Sequence, residues 1–296
     1  MTPKEVRKAL HRFRVTNGHK FHLKDYDPGD TNGFKLSHQE EAAVLAAGVA
    51  RLSDLQELLY AQHNWSLLCV FQAMDAAGKD SAIKHVMSGV NPQGVQVSSF
   101  KAPGPEELAH GFLWRISREL PERGRIGIFN RSHYEDVLVV RVHQDLLVQQ
   151  HLPEQLVTRH IWQERLEDIA NFERYLSRQG AVILKFFLNV SREEQKRRFI
   201  ARLEHPTKNW KFSANDLKER AQWDDYMQAY EKAISATAAK HAPWYVVPAD
   251  DKGFTHLVIV AAMIDALEGL NLRTPKPTAE EMALLAEGRK KLEAEE

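Results

Sequence analysis

The stretch that decides the fold is Phe71-Gln72-Ala73-Met74-Asp75-Ala76-Ala77-Gly78-Lys79-Asp80-Ser81, which follows a short apolar run and precedes a helical pattern. A phosphate-binding loop needs inward-facing backbone N–H groups, a helix N-terminus that faces the anion and a lysine that reaches its terminal oxygens. A glycine lets the backbone approach the anion, and the lysine after it supplies charge. The stretch therefore predicts a P-loop whose phosphate-binding residues are Ala76, Ala77, Gly78, Lys79, Asp80 and Ser81.

The predicted loop departs from the usual GxxxxGK[ST] pattern at two positions. Ala73 stands in place of the first glycine, and Asp80 stands in place of the serine or threonine. Taken alone, such a match is weak, and the alternative is an ordinary turn between a strand and a helix with a surface lysine. The position of the loop at the end of the first buried strand favours phosphate binding.

An acidic residue within this loop needs a reason, because a carboxylate repels phosphate unless a cation lies between them. Asp75 is therefore predicted either to bind Mg²⁺ or to orient the acceptor phosphate. The alternative is a turn residue that faces solvent, since aspartate is common in turns.

Five β-rich runs alternate with helical patterns along the chain. The predicted strands are Leu67–Phe71, Val95–Phe100, Arg125–Phe129, Val182–Leu188 and Trp244–Val247. Several of them are continuously apolar, which is typical of strands buried on both faces of a parallel sheet. The predicted helices run from Ser37 to about His63, over Lys79–Ser88, Pro105–Leu120 and Leu152–Arg178, from Ser191 onward, and over Phe254–Gly269. This alternation predicts a three-layer α/β fold with a five-stranded parallel sheet.

Composition and charge limit the classes of function. The chain has 296 residues, 43% of them hydrophobic, and a formal net charge of zero, so we expect one large domain without a general basic field. Residues 1–35 are predicted to form an irregular basic arm, residues 192–230 a helical lid insert, and residues 275–296 a helical tail. The single cysteine, Cys69, excludes disulfide bonds within the chain. With no signal segment or apolar membrane span in the sequence, a cytoplasmic protein is expected.

Polar residues follow the third predicted strand. Asn130 stands where P-loop proteins carry an acid near the metal, and Glu135 follows one helical turn later. Arg131 could bind a phosphoryl group through two parallel hydrogen bonds, which lysine cannot do. Arg141, among valines, is a second candidate phosphate ligand, with a structural salt bridge as its alternative.

Five motifs, occurring in order, resemble the polyphosphate kinase 2 family. They are Met74-Asp75-Ala76-Ala77-Gly78-Lys79-Asp80, Gly89-Val90-Asn91-Pro92, Phe100-Lys101-Ala102-Pro103, Phe129-Asn130-Arg131-Ser132-His133-Tyr134-Glu135 and Trp210-Lys211-Phe212-Ser213. The resemblance extends over about residues 35–270.

This resemblance implies a P-loop kinase fold like that of thymidylate kinase, with a helical lid. It also implies Mg²⁺-dependent, reversible transfer of a terminal phosphoryl group between inorganic polyphosphate and AMP, ADP or ATP, in a homo-oligomer of two or four subunits. The implied catalytic residues are Asp75, Lys79, Arg131 and Glu135, with Asp75 and Glu135 as the metal ligands. The implied phosphate contacts beyond the loop are Lys101, Arg197, Arg198 and Arg202. Many family members carry aspartate at the position of Asn130, and asparagine there resembles the subgroup that accepts both AMP and ADP.

Three other classes of protein remain to be weighed. A nucleoside monophosphate kinase with ATP as donor shares the fold and the lid arginines, but Asp75 and Asp80 argue against its usual loop. A regulatory ATPase or GTPase needs a strand-end aspartate with a water-positioning residue, and the sequence shows neither that pair nor an NKxD motif. A nucleic-acid-binding module is disfavoured because the chain lacks net positive charge, so we expect no nucleic-acid partner.

Overall fold

A computed structural model of the chain describes residues 10–207 and 209–295. Within these residues the sheet has six strands, which are β1 (Arg14–Val15), β2 (Ser66–Ala73), β3 (Val95–Ser99), β4 (Ile126–Asn130), β5 (Ala181–Asn189) and β6 (Trp244–Pro248). Their spatial order is β1-β6-β5-β2-β4-β3. Strands β2 to β6 are parallel, and β1 pairs antiparallel with β6.

The α-helices connect and cover these strands. In chain order they are α1 (His38–Gln62), α2 (Lys79–Val86), α3 (Pro105–Leu108), α4 (Trp114–Arg118), α5 (Val139–Val142), α6 (Asp145–Val148), α7 (Ile161–Arg178), α8 (Arg192–Glu204), α9 (Ala214–Ala221), α10 (Trp223–Thr237), α11 (Lys252–Glu268) and α12 (Ala279–Glu293). Short 3₁₀ helices cover Leu23–Asp25, Pro92–Gly94, His133–Val137, Glu154–Leu156 and Asn209–Lys211.

Helices lie on both faces of the sheet, which gives the predicted three layers. Neighbouring residues of β6 point to opposite faces, because side chains alternate along a strand. The indole of Trp244 donates to Thr237 at the end of α10, at 2.9 Å, whereas Tyr245 lies close enough to Asp265 of α11 to be influenced by its charge. Helices α7 and α10 pack together on the first face, and α1, α2 and α11 pack together on the second.

The central strand β2 positions the site. All eight of its residues are buried, and it pairs with β4 on one side and β5 on the other. Parallel strands buried on both faces read as continuous apolar runs, as Leu67–Phe71 does. The carboxyl ends of β2 and β4 therefore lie side by side, at the sheet edge where ligands of open α/β proteins bind.

The prediction of a five-stranded sheet was one strand short, and the prediction of an irregular arm was wrong for residues 10–15, whereas residues 16–36 are mostly turns and coil. Residues 10–13 are helical, and Arg14–Val15 forms β1. The side chains of Leu10, Phe13, Val15, Phe21 and Leu23 are buried in the core. These apolar residues alternate with basic ones, so the charge concealed their packing role. Residues 1–9 of the predicted arm lie outside the described residues.

Two predicted helices are shorter than their patterns. The Pro105–Leu120 pattern divides into α3 and α4, with Gly111 between them, whose carbonyl accepts from Trp114 N at 2.8 Å. The Leu152–Arg178 pattern becomes helical only at Ile161, because Pro153 is followed by a 3₁₀ turn and Thr158 accepts from His160 N at 3.1 Å. The helix predicted from Ser37 was confirmed as α1, with both hydrogen bonds of its capping box.

Candidate active site

The predicted phosphate-binding loop, named the phosphate loop from here on, covers residues 73–80 and connects β2 to α2. Gly78 caps α2 with a φ of 111°, and Ala76 has a φ of 62°. Such positive φ values suit glycine and cost other residues about 1 kcal/mol or more. The ammonium group of Lys79 folds back over the loop and donates to the Ala73 carbonyl at 2.9 Å. The loop is thus a tight turn between a strand and a helix, and its binding of phosphate stays a prediction.

The turn after β4 forms the opposite wall of the site. The register of β2 and β4 pairs Phe71 with Asn130, and the next residue, Arg131, donates its backbone N–H to the Phe71 carbonyl at 3.0 Å. Arg131 has a φ of 63°, a left-handed conformation that is costly for a residue with a side chain. This turn directs the Arg131 side chain to the phosphate loop.

Three charged side chains converge between these walls. Arg131 Nη2 lies 3.5 Å from Asp75 Oδ1, and Arg131 Nη1 lies 3.8 Å from Glu135 Oε2. Both distances are long for a charge-assisted hydrogen bond. The Arg131 side chain is 43% exposed, so its donors remain accessible. A cavity of about 170 Å³ opens here, lined by Ala73, Met74, Asp75, Arg131, Glu135, Val139, Asn215, Glu219, Tyr226 and Tyr230.

The charges in this cavity depend on one another. Burial lowers the pKa of Lys79, opposed by the nearby carboxylate of Asp75. Burial raises the pKa of Glu135, opposed by the positive charges of Arg131 and Lys79. The carboxylate of Glu135 in turn raises the pKa of Arg131. Each cation thus stabilises a carboxylate that burial alone would disfavour.

The donor set at the cavity fits a magnesium ion. Mg²⁺ is usually bound by one or two carboxylates together with substrate phosphates and water. Asp75 and Glu135 both line the cavity and could supply those carboxylates. Within residues 10–207 and 209–295, no group of three or more His, Cys, Asp or Glu side chains forms a metal cage. With Asp75 and Glu135 as protein ligands, substrate phosphates and water would complete the coordination of Mg²⁺.

Two residues that depart from different patterns contact each other: Asp80 replaces the serine or threonine of the GxxxxGK[ST] loop, and Asn130 stands where P-loop proteins carry an acid. Asn130 Nδ2 donates to Asp80 Oδ1 at 2.9 Å. An aspartate at position 130 would place a second carboxylate against Asp80, and two such groups repel unless one is protonated or a cation lies between them. Ser81, the last predicted loop residue, lies at the start of α2 with its hydroxyl 3.4 Å from His85 Nδ1.

Two predicted phosphate ligands lie outside this cavity. Arg141 lines a different cavity of about 640 Å³, and its guanidinium lies 5.9 Å from the centroid of Trp162. Burial lowers its pKa. Lys101 follows the edge strand β3 with an exposed side chain, and its carbonyl accepts from Arg115 Nη1 at 2.8 Å. The prediction that Arg141 binds phosphate beside the loop is therefore wrong, because its side chain lines another cavity. Lys101 lies at the edge of the sheet.

The three lid arginines have three different environments. Arg197 is largely exposed and bonds to Glu194 at 2.6 and 2.5 Å. Arg202 is partly exposed, 3.8 Å from Asp216, and stacks on Phe199. Arg198 is buried, and its guanidinium donates to the Ala76 and Ala77 carbonyls at 3.1 and 2.6 Å. The prediction that Arg198 faces the phosphates was wrong, because it lies behind the loop.

Sequence reasoning missed a polar group on the lid side of the cavity. Glu219 of α9 accepts from the Tyr226 hydroxyl at 2.5 Å and lies 2.8 Å from His143 Nε2. Tyr226 and Tyr230 are buried, and they also line the cavity. The spacing of the aromatic residues was the available signal in the sequence. Which of their side chains line the cavity depends on tertiary packing.

The chain is similar in sequence to known proteins over most of its length. The sequence profile described as Polyphosphate kinase 2 matches residues 35–275. An ADP-polyphosphate phosphotransferase of Rhodopseudomonas palustris is 50% identical over 90% of this chain and 92% of its own length. An AMP/ADP-polyphosphate phosphotransferase of Meiothermus ruber is 44% identical over 93% of this chain and 100% of its own.

The same fold is present in a solved structure. The crystal structure of polyphosphate kinase 2 from Arthrobacter aurescens TC1 superposes with a TM-score of 0.84 at 43% identity and covers 97% of both chains. The phosphate loop, the strand-end arginine and the two carboxylates thus occur in a chain whose sequence and fold agree with one family over nearly their full length. This chain belongs to the polyphosphate kinase 2 family.

Proposed function

We propose that this chain transfers the terminal phosphoryl group of inorganic polyphosphate to AMP and ADP, reversibly and with Mg²⁺. The observation that carries this proposal is the convergence of Arg131, Asp75 and Glu135 around one cavity at the ends of β2 and β4, with Lys79 close enough to interact with all three charges. Support for the substrate class comes from the two relatives named for polyphosphate and adenine nucleotides.

The reaction exchanges one phosphorus–oxygen bond for another. A terminal phosphate oxygen of the nucleotide attacks the last phosphorus atom of polyphosphate, the bridging bond behind that atom breaks, and the chain is shortened by one phosphate. Negative charge spreads over the oxygens of the transferred group, so positioning and positive charge supply most of the catalysis. A bound Mg²⁺, held by Asp75 and Glu135, would neutralise charge on the phosphate oxygens.

The residues of the chain have separate roles in this scheme. The N-terminus of α2 and the loop N–H groups bind phosphate oxygens, since helix N-termini favour anions. Lys79 supplies a charge from the loop side, and Arg131 offers a planar fork from the opposite wall. Because Asp75 and Glu135 hold Arg131 only by long contacts of 3.5 and 3.8 Å, this guanidinium can turn to the substrate at little cost.

A donor assay tests the proposal. The purified chain is given AMP or ADP with either long-chain polyphosphate or ATP as the phosphoryl donor, with and without Mg²⁺. We expect ADP and then ATP to form from polyphosphate, and only with Mg²⁺. Product formed from ATP alone would overturn the proposal in favour of an ordinary nucleoside monophosphate kinase.

Two further expectations stay predictions. They are the homo-oligomeric assembly and the cytoplasmic location. Among the helices in the described part of the chain, none is both long enough and apolar enough to cross a membrane.

A further inference from the structure

We propose that Arg198 and Gln195 of helix α8 are positioning residues that hold the phosphate loop in its anion-binding conformation from behind. The catalytic part of this inference rests on the proposed function, whereas the structural part does not. Family resemblance implies that Arg198 is a lid residue that touches phosphate. The structure assigns it instead to the face of the loop opposite the cavity.

All five N–H groups of Arg198 can be assigned to acceptors. Nη1 donates to the carbonyls of Ala76 and Ala77, at 3.1 and 2.6 Å. Nη2 donates to the carbonyls of Ala249 and Asp250, at 2.6 and 3.2 Å. Nε donates to Glu194 Oε1 at 2.7 Å. A guanidinium has five donors, so none is left for a phosphoryl oxygen.

Gln195 adds a further bond to the same loop. Its amide nitrogen donates to the Asp75 carbonyl at 2.9 Å, and its side chain is 1% exposed. Two side chains on adjacent turns of α8 therefore bind three successive carbonyls, those of residues 75–77. The hydrogen-bond donors to these carbonyls come from α8 and not from the loop itself. The conformation of the loop therefore depends on α8 as well as on the loop sequence.

Binding the carbonyls fixes the direction of the N–H groups. In a trans peptide the C=O and the following N–H point in opposite directions within one rigid plane. When Gln195 holds the Asp75 carbonyl, the N–H of Ala76 points away from α8. When Arg198 binds the Ala77 carbonyl, the N–H of Gly78 likewise points away from α8. The N–H of Ala77 donates instead to the Met74 carbonyl at 3.2 Å, within the turn.

The position of Arg198 also anchors α8 to the sheet. The helix begins after Ser191, whose N–H donates to Asp250 Oδ1 at 2.7 Å, and Arg198 binds the carbonyls of residues 249 and 250 about two turns later. The first two turns of α8 therefore belong with the phosphate loop and the end of β6. A cation that moves with the lid has to lie beyond these turns. Arg202 is so placed, 3.8 Å from Asp216 and stacked on Phe199.

Hydrogen exchange without substrates tests the structural part. Gln195→Ala removes the hydrogen bond to the Asp75 carbonyl and the one that Gln195 Oε1 accepts from Arg220 at 2.7 Å. We expect backbone amides of residues 75–80 to exchange about two- to tenfold faster, while the chain outside this loop and the surroundings of Arg220 is unchanged. Arg198→Lys should give the same local increase, because an ammonium cannot reach carbonyls on both sides. The matched control is Lys196→Ala, at the exposed position beside Gln195 on α8, which should leave the loop unchanged.

Two outcomes would overturn the structural part. One is loop exchange in Gln195→Ala and Arg198→Lys that matches the parent chain. The other is a uniform increase over the whole chain in both variants, which would mean that these residues serve only global stability. Since no nucleotide or polyphosphate is present, either outcome is independent of whether the chain is a polyphosphate kinase.

Steady-state kinetics then test the catalytic part. Misdirected loop amides should lower kcat more than they raise KM, with a loss of about a hundredfold in kcat for Arg198→Lys and less for Gln195→Ala. Loosened loop exchange with unchanged kcat and KM would contradict a positioning role while leaving the proposed function intact. No turnover in the parent chain would instead contradict the proposed function and leave the exchange result standing.

Discussion

The turn after β4 and the helix α8 each bring an arginine to the phosphate loop, from opposite sides. Arg131 is 43% exposed and contacts two carboxylates at 3.5 and 3.8 Å. Arg198 is 6% exposed and donates five hydrogen bonds of 2.6–3.2 Å. The comparison teaches that an arginine is available to a substrate when some of its N–H donors make no short hydrogen bond within the protein. Arg131 is placed to act on phosphate, and Arg198 to shape the loop that binds it.

Both arginines act on a loop that holds the charge of Lys79 close to phosphate. Removal of that charge should therefore have the largest effect on turnover. We expect Lys79→Ala to lower kcat by about a thousandfold or more, because a cation facing the transferred group is lost. The melting temperature should stay near that of the parent. The control is Lys84→Ala, an exposed position on the same helix. Near-normal turnover in Lys79→Ala would contradict the assigned role.

The carboxylate side of the cavity is tested next. Asp75→Asn keeps the shape of the side chain but removes the charge that faces Arg131 and that would help to hold Mg²⁺. We expect kcat to fall by about a hundredfold or more, and added Mg²⁺ should not restore it. Full recovery at high Mg²⁺ would show that Asp75 affects only the affinity for the metal. A titration of rate against Mg²⁺ concentration separates the two results.

Arg131→Lys examines the exposed arginine directly. Lysine keeps the positive charge but loses the planar fork that can bind two phosphate oxygens at once, so we expect kcat/KM to fall by about a hundredfold. Arg125→Lys is the matched control, since Arg125 lies before the other end of β4 and pairs with Glu122 at 3.3 Å. Equal activity of the Arg131→Lys variant and the parent chain would contradict the view that Arg131, unlike Arg198, binds phosphate through its planar fork.

The smallest expected effect concerns the contact between Asn130 and Asp80. Asn130→Asp replaces a 2.9 Å hydrogen bond with two facing carboxylates, so we expect a lower melting temperature. We also expect the ratio of kcat/KM for AMP and ADP to change by about a fewfold. The double variant Asn130→Asp with Asp80→Asn restores one donor and one acceptor, and should recover the stability. An unchanged nucleotide ratio in both variants would mean that this pair does not influence acceptor choice.

Local patterns in the sequence predicted much of the fold and part of the site. The five parallel strands, the capped helix α1 and the loop around Gly78 each depend on neighbouring residues, so periodicity and turn chemistry revealed them. β1 has only two residues, which is too short for a period, and it forms because β6 offers a free edge. Its apolar neighbours were concealed by the basic residues around them.

The rest of the site depends on contacts between distant segments. Both Arg131 and Arg198 are arginines in polar surroundings, and nothing in their local sequence says which of them will be buried. Asn130 meets Asp80 only because β2 and β4 pair in one register. Arg141 is helical and half-buried as its valine neighbours suggest, but the turn of α5 directs it to another cavity. The direction of a side chain and the register between two strands are set by tertiary contacts, so the spacing of residues in the sequence could not predict them.

A crystal structure with polyphosphate, AMP and Mg²⁺ bound would test the central claim most directly. The expected result is phosphate oxygens within hydrogen-bond distance of the loop N–H groups and Lys79 Nζ, with the Arg131 guanidinium turned to them and Arg198 still bound to the carbonyls of Ala76 and Ala77. The contradicting result is an empty loop, with the nucleotide and the phosphate chain bound elsewhere on the molecule.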